Sequence, residues 1–205
     1  MKDWTGNKTS VWKILAASNY SDSEREQNDY YATDPIAIDK LQGGLCLSSN
    51  IWECAAGEGY LSRRLSEFNH EVYSSDIVER GFKLDKVLDF LTATPLDIPF
   101  TGIFDIVTNP PYKYATEFVI KALDLLPLGG KCCMFLKLTF LEGKRRYADL
   151  FKNNPPRMVF VFSERIICAK NGAFDYVRNT GGSAVAYAWF VWQKGYTGET
   201  IVKWI

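Results

Sequence analysis

The sequence predicts an α/β fold with a mostly parallel central sheet and helices on both of its faces. Short apolar runs typical of buried strands alternate with helical patterns, and the glycine pair at 129–130 separates one helix from the next strand. Alternation of this kind implies crossover connections and therefore parallel neighbours. The predicted strands lie at 49–54, 71–75, 103–108, 131–137, 157–162 and 185–193. The predicted helices lie at 34–41, 58–68, 113–126 and 142–152.

Length and composition predict a single domain. The chain has 205 residues, of which 47% are hydrophobic, and this is enough to bury a sizeable core. Residues 1–27 are polar and are expected to form an exposed lead-in to a domain at 28–205, within which 141–183 is a candidate substrate-recognition region. The apolar runs are too short to cross a bilayer, and the N-terminal residues do not resemble a signal peptide. We therefore expect a cytoplasmic protein without a membrane partner.

Cysteine and histidine usage argues against a metal site. The chain has five cysteines without a Cys-x-x-Cys spacing, and His70 is its single histidine. Zinc sites need clustered thiolates and imidazoles, so we expect no metal and reduced thiols in the core.

The run Asn109-Pro110-Pro111-Tyr112 follows a predicted buried strand. Its two prolines end the strand and stiffen the loop, which holds one amide and one aromatic ring in a fixed relation. An amide oxygen accepts a hydrogen bond from an amino group, and an aromatic ring stacks on a planar base. The run therefore indicates a site for an amino-bearing planar substrate, with an ordinary proline-rich turn as the alternative.

A glycine loop precedes this run by about fifty residues, between a predicted strand and a predicted helix. Gly57 and Gly59 allow a tight bend and the close approach of a ligand. Asp76 ends the next apolar run, about twenty residues beyond the glycines, where doubly wound folds place a carboxylate on ribose hydroxyls. These features indicate a nucleotide-like cofactor at the carboxyl ends of the strands.

Together these motifs resemble the class I S-adenosylmethionine-dependent methyltransferases that methylate amino groups, in particular the DNA adenine-N6 methyltransferases. The resemblance implies a Rossmann-like domain with an antiparallel strand near its C-terminus, and S-adenosyl-L-methionine as cofactor. The residues that it implies for cofactor binding are Thr33, Glu53, Cys54, Ala55, Gly57, Gly59, Asp76, Ile77, Asp89, Phe90 and Asn109. The residues that it implies for catalysis are Asn109, Pro110, Pro111 and Tyr112.

The same resemblance implies methyl transfer to an exocyclic amino group, with adenine N6 in DNA as the expected target and a flipped base as the reacting form. Three alternatives stay open: adenine or guanine amino groups in RNA, a glutamine amide in a protein, and a non-catalytic cofactor-binding protein. The short region 141–183 leaves little room for a recognition domain, which is typical of compact enzymes of low sequence specificity.

Nucleic-acid binding requires a local basic patch, because the net charge of the chain is zero. The densest cluster, Lys144-Arg145-Arg146, is a candidate for phosphate contacts, with a solvated helix start as the alternative. The stretch 169–182 reads as a long loop that covers the substrate and offers Phe174 or Tyr176 as a second stacking ring, or as a disordered connector.

Overall fold

A computed structural model describes residues 31–169, 172, 174–179 and 185–205 of the chain. The predicted polar lead-in at 1–27 lies outside the described residues. The strands of the described part are β1 (Ala32–Thr33), β2 (Asn50–Glu53), β3 (Glu71–Asp76), β4 (Lys86–Val87), β5 (Asp105–Thr108), β6 (Lys131–Lys137), β7 (Met158–Val161), β8 (Cys168–Ala169), β9 (Tyr187–Gln193) and β10 (Ile201–Trp204).

Eight of these strands form one sheet in the order β10-β7-β9-β6-β5-β2-β3-β4. The pairs from β6 to β4 are parallel, and so is the pair of β10 with β7. β9 is antiparallel to both of its neighbours, β6 and β7. Its pairing with β6 runs from Lys131 opposite Gln193 to Lys137 opposite Tyr187. β1 and β8 form a separate antiparallel pair beside this sheet. The fold is therefore the expected mostly parallel α/β sheet with an antiparallel strand near the C-terminus.

The helices connect these strands. They are α1 (Ile36–Gly44), α2 (Tyr60–Glu67), α3 (Ala115–Leu125), α4 (Lys144–Arg146) and α5 (Phe174–Asn179). A π-helical turn at Tyr147–Phe151 continues α4, where the sequence predicts one regular helix. Short 3₁₀ turns at Phe90–Thr92 and Tyr112–Tyr114 carry residues of the predicted site.

Two apolar clusters cover the two faces of the sheet, as expected for strands that are buried on both sides. Three fully buried tryptophans belong to them, and each indole N–H has a hydrogen-bond acceptor, which a buried donor needs. Trp52 donates to Ser75 Oγ at 2.8 Å, Trp189 to the Ala37 carbonyl at 2.8 Å, and Trp192 to the Asn154 carbonyl at 3.0 Å.

Asp105 fixes the amino ends of the central strands, opposite the carboxyl ends where ligands bind in such folds. Its fully buried carboxylate accepts hydrogen bonds from the backbone N–H groups of Ser48 and Lys131, both at 2.7 Å. Lys131 Nζ lies 3.3 Å from the same carboxylate and compensates its charge. A buried carboxylate with these partners ties β5 to β6 and to the chain entering β2.

The sequence missed the short strands β1, β4, β8 and β10. It also predicted a loop at 169–182, which is wrong for Phe174–Asn179, because these residues form α5. The six longer strands and the helices before β3 and β6 lie within a few residues of their predicted positions.

Candidate active site

A cavity of about 700 Å³ opens at the carboxyl ends of β2, β3 and β5. Most of the residues that the sequence assigns to a cofactor or to catalysis lie on its wall. These are Thr33, Glu53, Cys54, Ala55, Asp76, Ile77, Asp89, Phe90, Asn109, Pro110, Pro111 and Tyr112. The ends of three adjacent parallel strands thus bring together residues that are far apart in the chain.

Glu53 ends β2 and presents a buried carboxyl group to this cavity, with 1% of the residue exposed. Its Oε2 accepts a hydrogen bond from the hydroxyl of Ser62. Burial raises the pKa of Glu53 to about 8, and the nearby carboxylate of Asp76 acts in the same direction. A buried acid on a cavity wall favours a cationic ligand, because a cation would stabilise its ionised form.

Asp76 ends β3 and organises the glycine loop. Its Oδ2 accepts a hydrogen bond from the Gly57 N–H at 2.9 Å, and its Oδ1 lies 3.2 Å from both the Val78 N–H and an Nη atom of Arg80. The carboxylate is only 10% exposed as a side chain. Part of its hydrogen-bonding capacity is therefore used to hold the loop in place beside the cavity.

Asn109 follows β5, and two hydrogen bonds fix its side-chain amide. Nδ2 donates to Thr33 Oγ1 at 2.8 Å and to the Tyr31 carbonyl at 3.2 Å. A carbonyl only accepts, so the amide nitrogen must face Tyr31 and the orientation of the amide is determined. Oδ1 is buried and accepts no hydrogen bond from the residues that the structure describes. Such an acceptor costs about 1–3 kcal/mol, and an unpaired buried group in a native protein calls for an explanation.

Tyr112 ends the motif and packs inward as well as lining the cavity. Its ring is stacked with that of Tyr187 at a centroid distance of 6.0 Å, and Lys137 Nζ lies 5.0 Å from its centroid. Its phenol oxygen is 3.7 Å from Cys168 Sγ. Burial raises the pKa of Tyr112 well above the usual 10.0, which keeps the phenol neutral. Part of the ring surface that the sequence assigns to base stacking is thus used within the protein.

The predicted cofactor-binding residues Asp89 and Phe90 both line the cavity. Asp89 caps the 3₁₀ turn Phe90–Thr92, since its Oδ1 accepts a hydrogen bond from the Leu91 N–H at 3.0 Å. Phe90 is 1% exposed and meets Trp52 edge-on at 5.4 Å. Cys54 is also buried, and this burial raises the pKa of its thiol well above the usual 9.0, so the thiol is protonated. It is a small wall residue and not a reactive one.

The sequence matches no family profile and no curated protein. A protein of Listeria monocytogenes assigned as a class I S-adenosylmethionine-dependent methyltransferase shares its fold, with a TM-score of 0.52, 11% identity and 83% of this chain covered. This is the Rossmann-like fold of the class I methyltransferases. The chain spans 62% of the Listeria protein.

Proteins with other names also resemble this chain in structure. A protein of Lactococcus lactis assigned as a hemolysin aligns with 82% of this chain and 91% of its own length, at 11% identity and a TM-score of 0.58. A protein of Vibrio vulnificus assigned as a modification subunit of a type I restriction enzyme aligns with 96% of this chain and 50% of its own length, at 12% identity and a TM-score of 0.56. Likeness at this level of identity establishes the fold and not the substrate.

Two predicted residues of the glycine loop, Gly57 and Gly59, lie off the cavity wall. Gly57 directs its N–H to Asp76, and Gly59 has a φ of 73° at the start of α2. A Cβ atom at Gly59 would lie 2.4 Å from the ring of Phe82, so this glycine is needed for packing. The two glycines shape the loop, whereas Ala55 and Ala56 of the same loop line the cavity.

The basic cluster Lys144-Arg145-Arg146 also lies off the cavity wall. Arg146 donates through Nη1 to the carbonyls of Phe140, at 2.8 Å, and Glu142, and its guanidinium lies 4.2 Å from the Phe140 ring centroid. Arg146 thus stabilises the turn before α4, and its phosphate contact stays a prediction. Arg145 is 92% exposed as a side chain and pairs with Asp149, and Lys144 is exposed.

Phe174 does not line the cavity either, although it lies near it. Its ring meets that of Tyr60 edge-on at 5.3 Å, and Tyr60 is on the wall. Tyr176, the other ring proposed from sequence, is 72% exposed. α5 therefore contacts Tyr60 through the Phe174 ring, and neither of the two proposed rings is on the cavity wall.

Several wall residues were missed by sequence reasoning. They are Tyr31, Ala32, Ala56, Tyr60, Leu61, Arg80, Leu91, Lys113, Tyr114 and Phe118. Half of them are direct neighbours of predicted residues in the chain, and this adjacency was the available signal. The contacts of Tyr31 and Arg80 depend on hydrogen bonds to Asn109 and Asp76, which the sequence does not reveal.

No helix of the described residues is long and apolar enough to cross a membrane. Within the same residues, no group of three or more His, Cys, Asp or Glu side chains is arranged to hold a metal ion.

Proposed function

We propose that this chain is an S-adenosylmethionine-dependent N-methyltransferase that acts on an exocyclic amino group of a nucleic acid, with adenine N6 in DNA as its target. The observation that carries the proposal is the side chain of Asn109, whose amide nitrogen is held by Thr33 and Tyr31 while its buried oxygen lacks a donor among the described residues. A substrate amino group is a donor that would satisfy this oxygen.

The cavity suits the proposed cofactor in its chemistry. S-adenosylmethionine carries a positive sulfonium and a positive ammonium group, and the wall presents Glu53 and Asp76 at the ends of adjacent strands. Either cation would compensate the buried carboxyl of Glu53. Asp89 and Phe90 lie on the same wall and offer an acceptor and a ring for an adenine. When bound, the cofactor supplies an electrophilic methyl group.

The residues of the chain then have positioning and electrostatic tasks. Asn109 Oδ1 and the carbonyl of Pro110 accept the two amino hydrogens, so that the nitrogen lone pair is drawn out of conjugation with the base. Because Oδ1 is buried, a small local movement must accompany substrate entry. No strong base is needed before transfer, because the amino nitrogen becomes strongly acidic only as it gains the methyl group, and its proton then passes to water. Tyr112 contributes a ring against which the extruded base packs.

Methylation assays with labelled cofactor test this proposal. DNA in single-stranded and duplex form, RNA of the same sequence and a glutamine-containing release-factor substrate are compared, and products are identified by mass spectrometry. We expect N6-methyladenine from DNA. Methylated guanine, 4-methylcytosine or methylglutamine as the main product would overturn the target, and the absence of transfer together with cofactor binding would favour a non-catalytic protein.

The Asn109→Ala variant tests the mechanism. Loss of a transition-state hydrogen bond of this kind commonly lowers the rate by about 10²–10³-fold. Cofactor affinity, measured by calorimetry, should change little, because the amide contacts the substrate nitrogen. Near-normal turnover in this variant would refute the role of Asn109.

A further inference from the structure

Two residues directly after the motif lie on the cavity wall and have no role in the mechanism above. Lys113 and Tyr114 belong to the 3₁₀ turn Tyr112–Tyr114, which the Tyr114 N–H closes by donating to the Pro111 carbonyl at 2.9 Å. Both line the cavity, and both are exposed to solvent, Tyr114 to 42%. They therefore lie where the wall meets the outside.

The charge of Lys113 is uncompensated within the part of the chain that the structure describes. Its Nζ lies over the ring of Tyr114, 5.1 Å from the centroid, and it forms no ion pair there. Glu117, one helical turn later, is exposed but is not paired with it. An ammonium group on an aromatic ring at a cavity edge offers a charge for a phosphate and a flat surface for a base.

We propose that Lys113 and Tyr114 form a strand-binding rim, in which Lys113 binds a phosphate next to the target nucleotide and Tyr114 stacks on a neighbouring base. This inference rests on the proposed function. It adds that the substrate is a strand with unstacked bases, because such a strand fits the rim. Its position, one and two residues beyond Tyr112, lets one rigid turn hold the target base and its neighbour together. The basic cluster at α4 offers no such placement, because it lies off the wall.

Binding of a short single-stranded DNA, measured by fluorescence anisotropy between about 50 and 200 mM salt, tests the rim. For Lys113→Gln we expect the slope of log affinity against log salt to fall by about 0.7, the value for one phosphate contact on a single strand. For Tyr114→Ala we expect affinity to fall about 5- to 150-fold, as for the loss of one stacked base, and Tyr114→Phe should bind like the unchanged protein.

The matched controls lie on β10, which three strands separate from β5 in the sheet. Lys203→Gln and Trp204→Ala remove an exposed lysine and an exposed ring there and should leave both slope and affinity unchanged. Calorimetry with S-adenosylhomocysteine on each variant should give unchanged cofactor affinity.

Three results would overturn the rim. The first is a salt slope that is unchanged in Lys113→Gln but reduced in a double variant with Lys144→Gln and Arg145→Gln. This result would place the phosphate contacts on α4. The second is a Tyr114→Ala variant that loses cofactor affinity instead of strand affinity. The third is DNA binding that neither rim variant alters. In each case methyl transfer to DNA by the unchanged protein would still support the proposed function, whereas failure of the unchanged protein to bind or methylate any nucleic acid would overturn both.

Discussion

The side-chain amide of Asn109 donates a hydrogen bond to the hydroxyl of Thr33 at 2.8 Å, across 76 positions of the chain. Thr33 is held in turn by the pairing of β1 with β8, where it lies opposite Cys168. The orientation of the proposed catalytic amide thus depends on a strand pair that is separate from the main sheet. The same pairing places the Tyr31 carbonyl beside Nδ2.

Removing the hydroxyl of Thr33 should lower the rate of methyl transfer without unfolding the protein. Thr33→Val keeps the shape of the side chain but leaves Asn109 Nδ2 with one acceptor, so the amide is less well oriented. We expect single-turnover transfer to slow by about tenfold, as for the loss of one ordinary hydrogen bond worth about 1 kcal/mol or more. Thr33→Ser retains the hydroxyl and is the control. Equal rates for the valine and serine variants would show that Tyr31 alone orients the amide.

Glu53 should make stability depend on pH. Its pKa in the folded chain is about 8, above the ordinary 4.5, because burial disfavours the charged form. Between these two values the unfolded chain releases this proton while the folded chain keeps it, so stability falls as pH rises from 4.5 to 8. Glu53→Gln mimics the protonated form and does not titrate.

Urea unfolding of both proteins across this pH range measures the effect. The unfolding free energy of the unchanged protein minus that of Glu53→Gln should be constant below pH 4.5, should decrease between pH 4.5 and 8, and should be constant again above pH 8. A difference that does not vary with pH would mean that Glu53 is ionised in the folded chain at neutral pH.

The phenol oxygen of Tyr112 should be dispensable, whereas its ring should not. Tyr112→Phe loses the contact of 3.7 Å with Cys168 Sγ and the side-chain hydrogen bond with Tyr187, but keeps the ring contacts with Tyr187 and Lys137. We expect it to methylate at close to the normal rate, and Tyr112→Leu to bind substrate about 5- to 150-fold more weakly through loss of stacking. Thermal unfolding of both variants separates this loss from a packing defect. A large loss of transfer in the phenylalanine variant would assign a role to the hydroxyl.

Arg146 and Arg145 should differ sharply in their effect on stability. Arg146 donates to two carbonyls of the preceding turn and covers the Phe140 ring, so Arg146→Ala should cost about 1–3 kcal/mol. Arg145→Ala removes an exposed helix pair with Asp149 and should change the unfolding free energy by less than about 0.5 kcal/mol. Urea denaturation compares the two neighbours directly. Similar losses for both would contradict the stabilising contact of Arg146.

Local sequence patterns were sufficient to predict the six longer strands of the sheet. β6 is a continuous apolar run with a glycine pair before it, and its bounds agree with the predicted 131–137. The position of Asp76 and Asn109 at one edge of the sheet followed from strand order, because parallel strands bring their carboxyl ends together, whereas Glu53 was implied by the family resemblance.

What the sequence could not provide depends on contacts between distant segments. β1 and β8 have two residues each and exist only through pairing with one another, so no periodicity identifies them. The hydrogen bonds of Arg146 to the turn before α4 depend on side-chain geometry, which a cluster of basic residues in the sequence does not reveal. α5 lies in a stretch rich in turn formers, and its ring contact between Phe174 and Tyr60 is long-range.

β9 lies between β6 and β7 although it follows both along the chain. Until residues 187–193 have left the ribosome, β6 lacks a partner along one edge and β7 has no partner in the sheet, because β10 follows β9 in the chain. The buried positions of β6 are strongly apolar. β7 therefore joins the sheet late, through β9, and this step pairs residues far apart in the chain, which slows folding. A nascent chain stalled before Tyr187 should aggregate through these edges, so this protein should depend on chaperones more than a protein whose strands pair with strands already made.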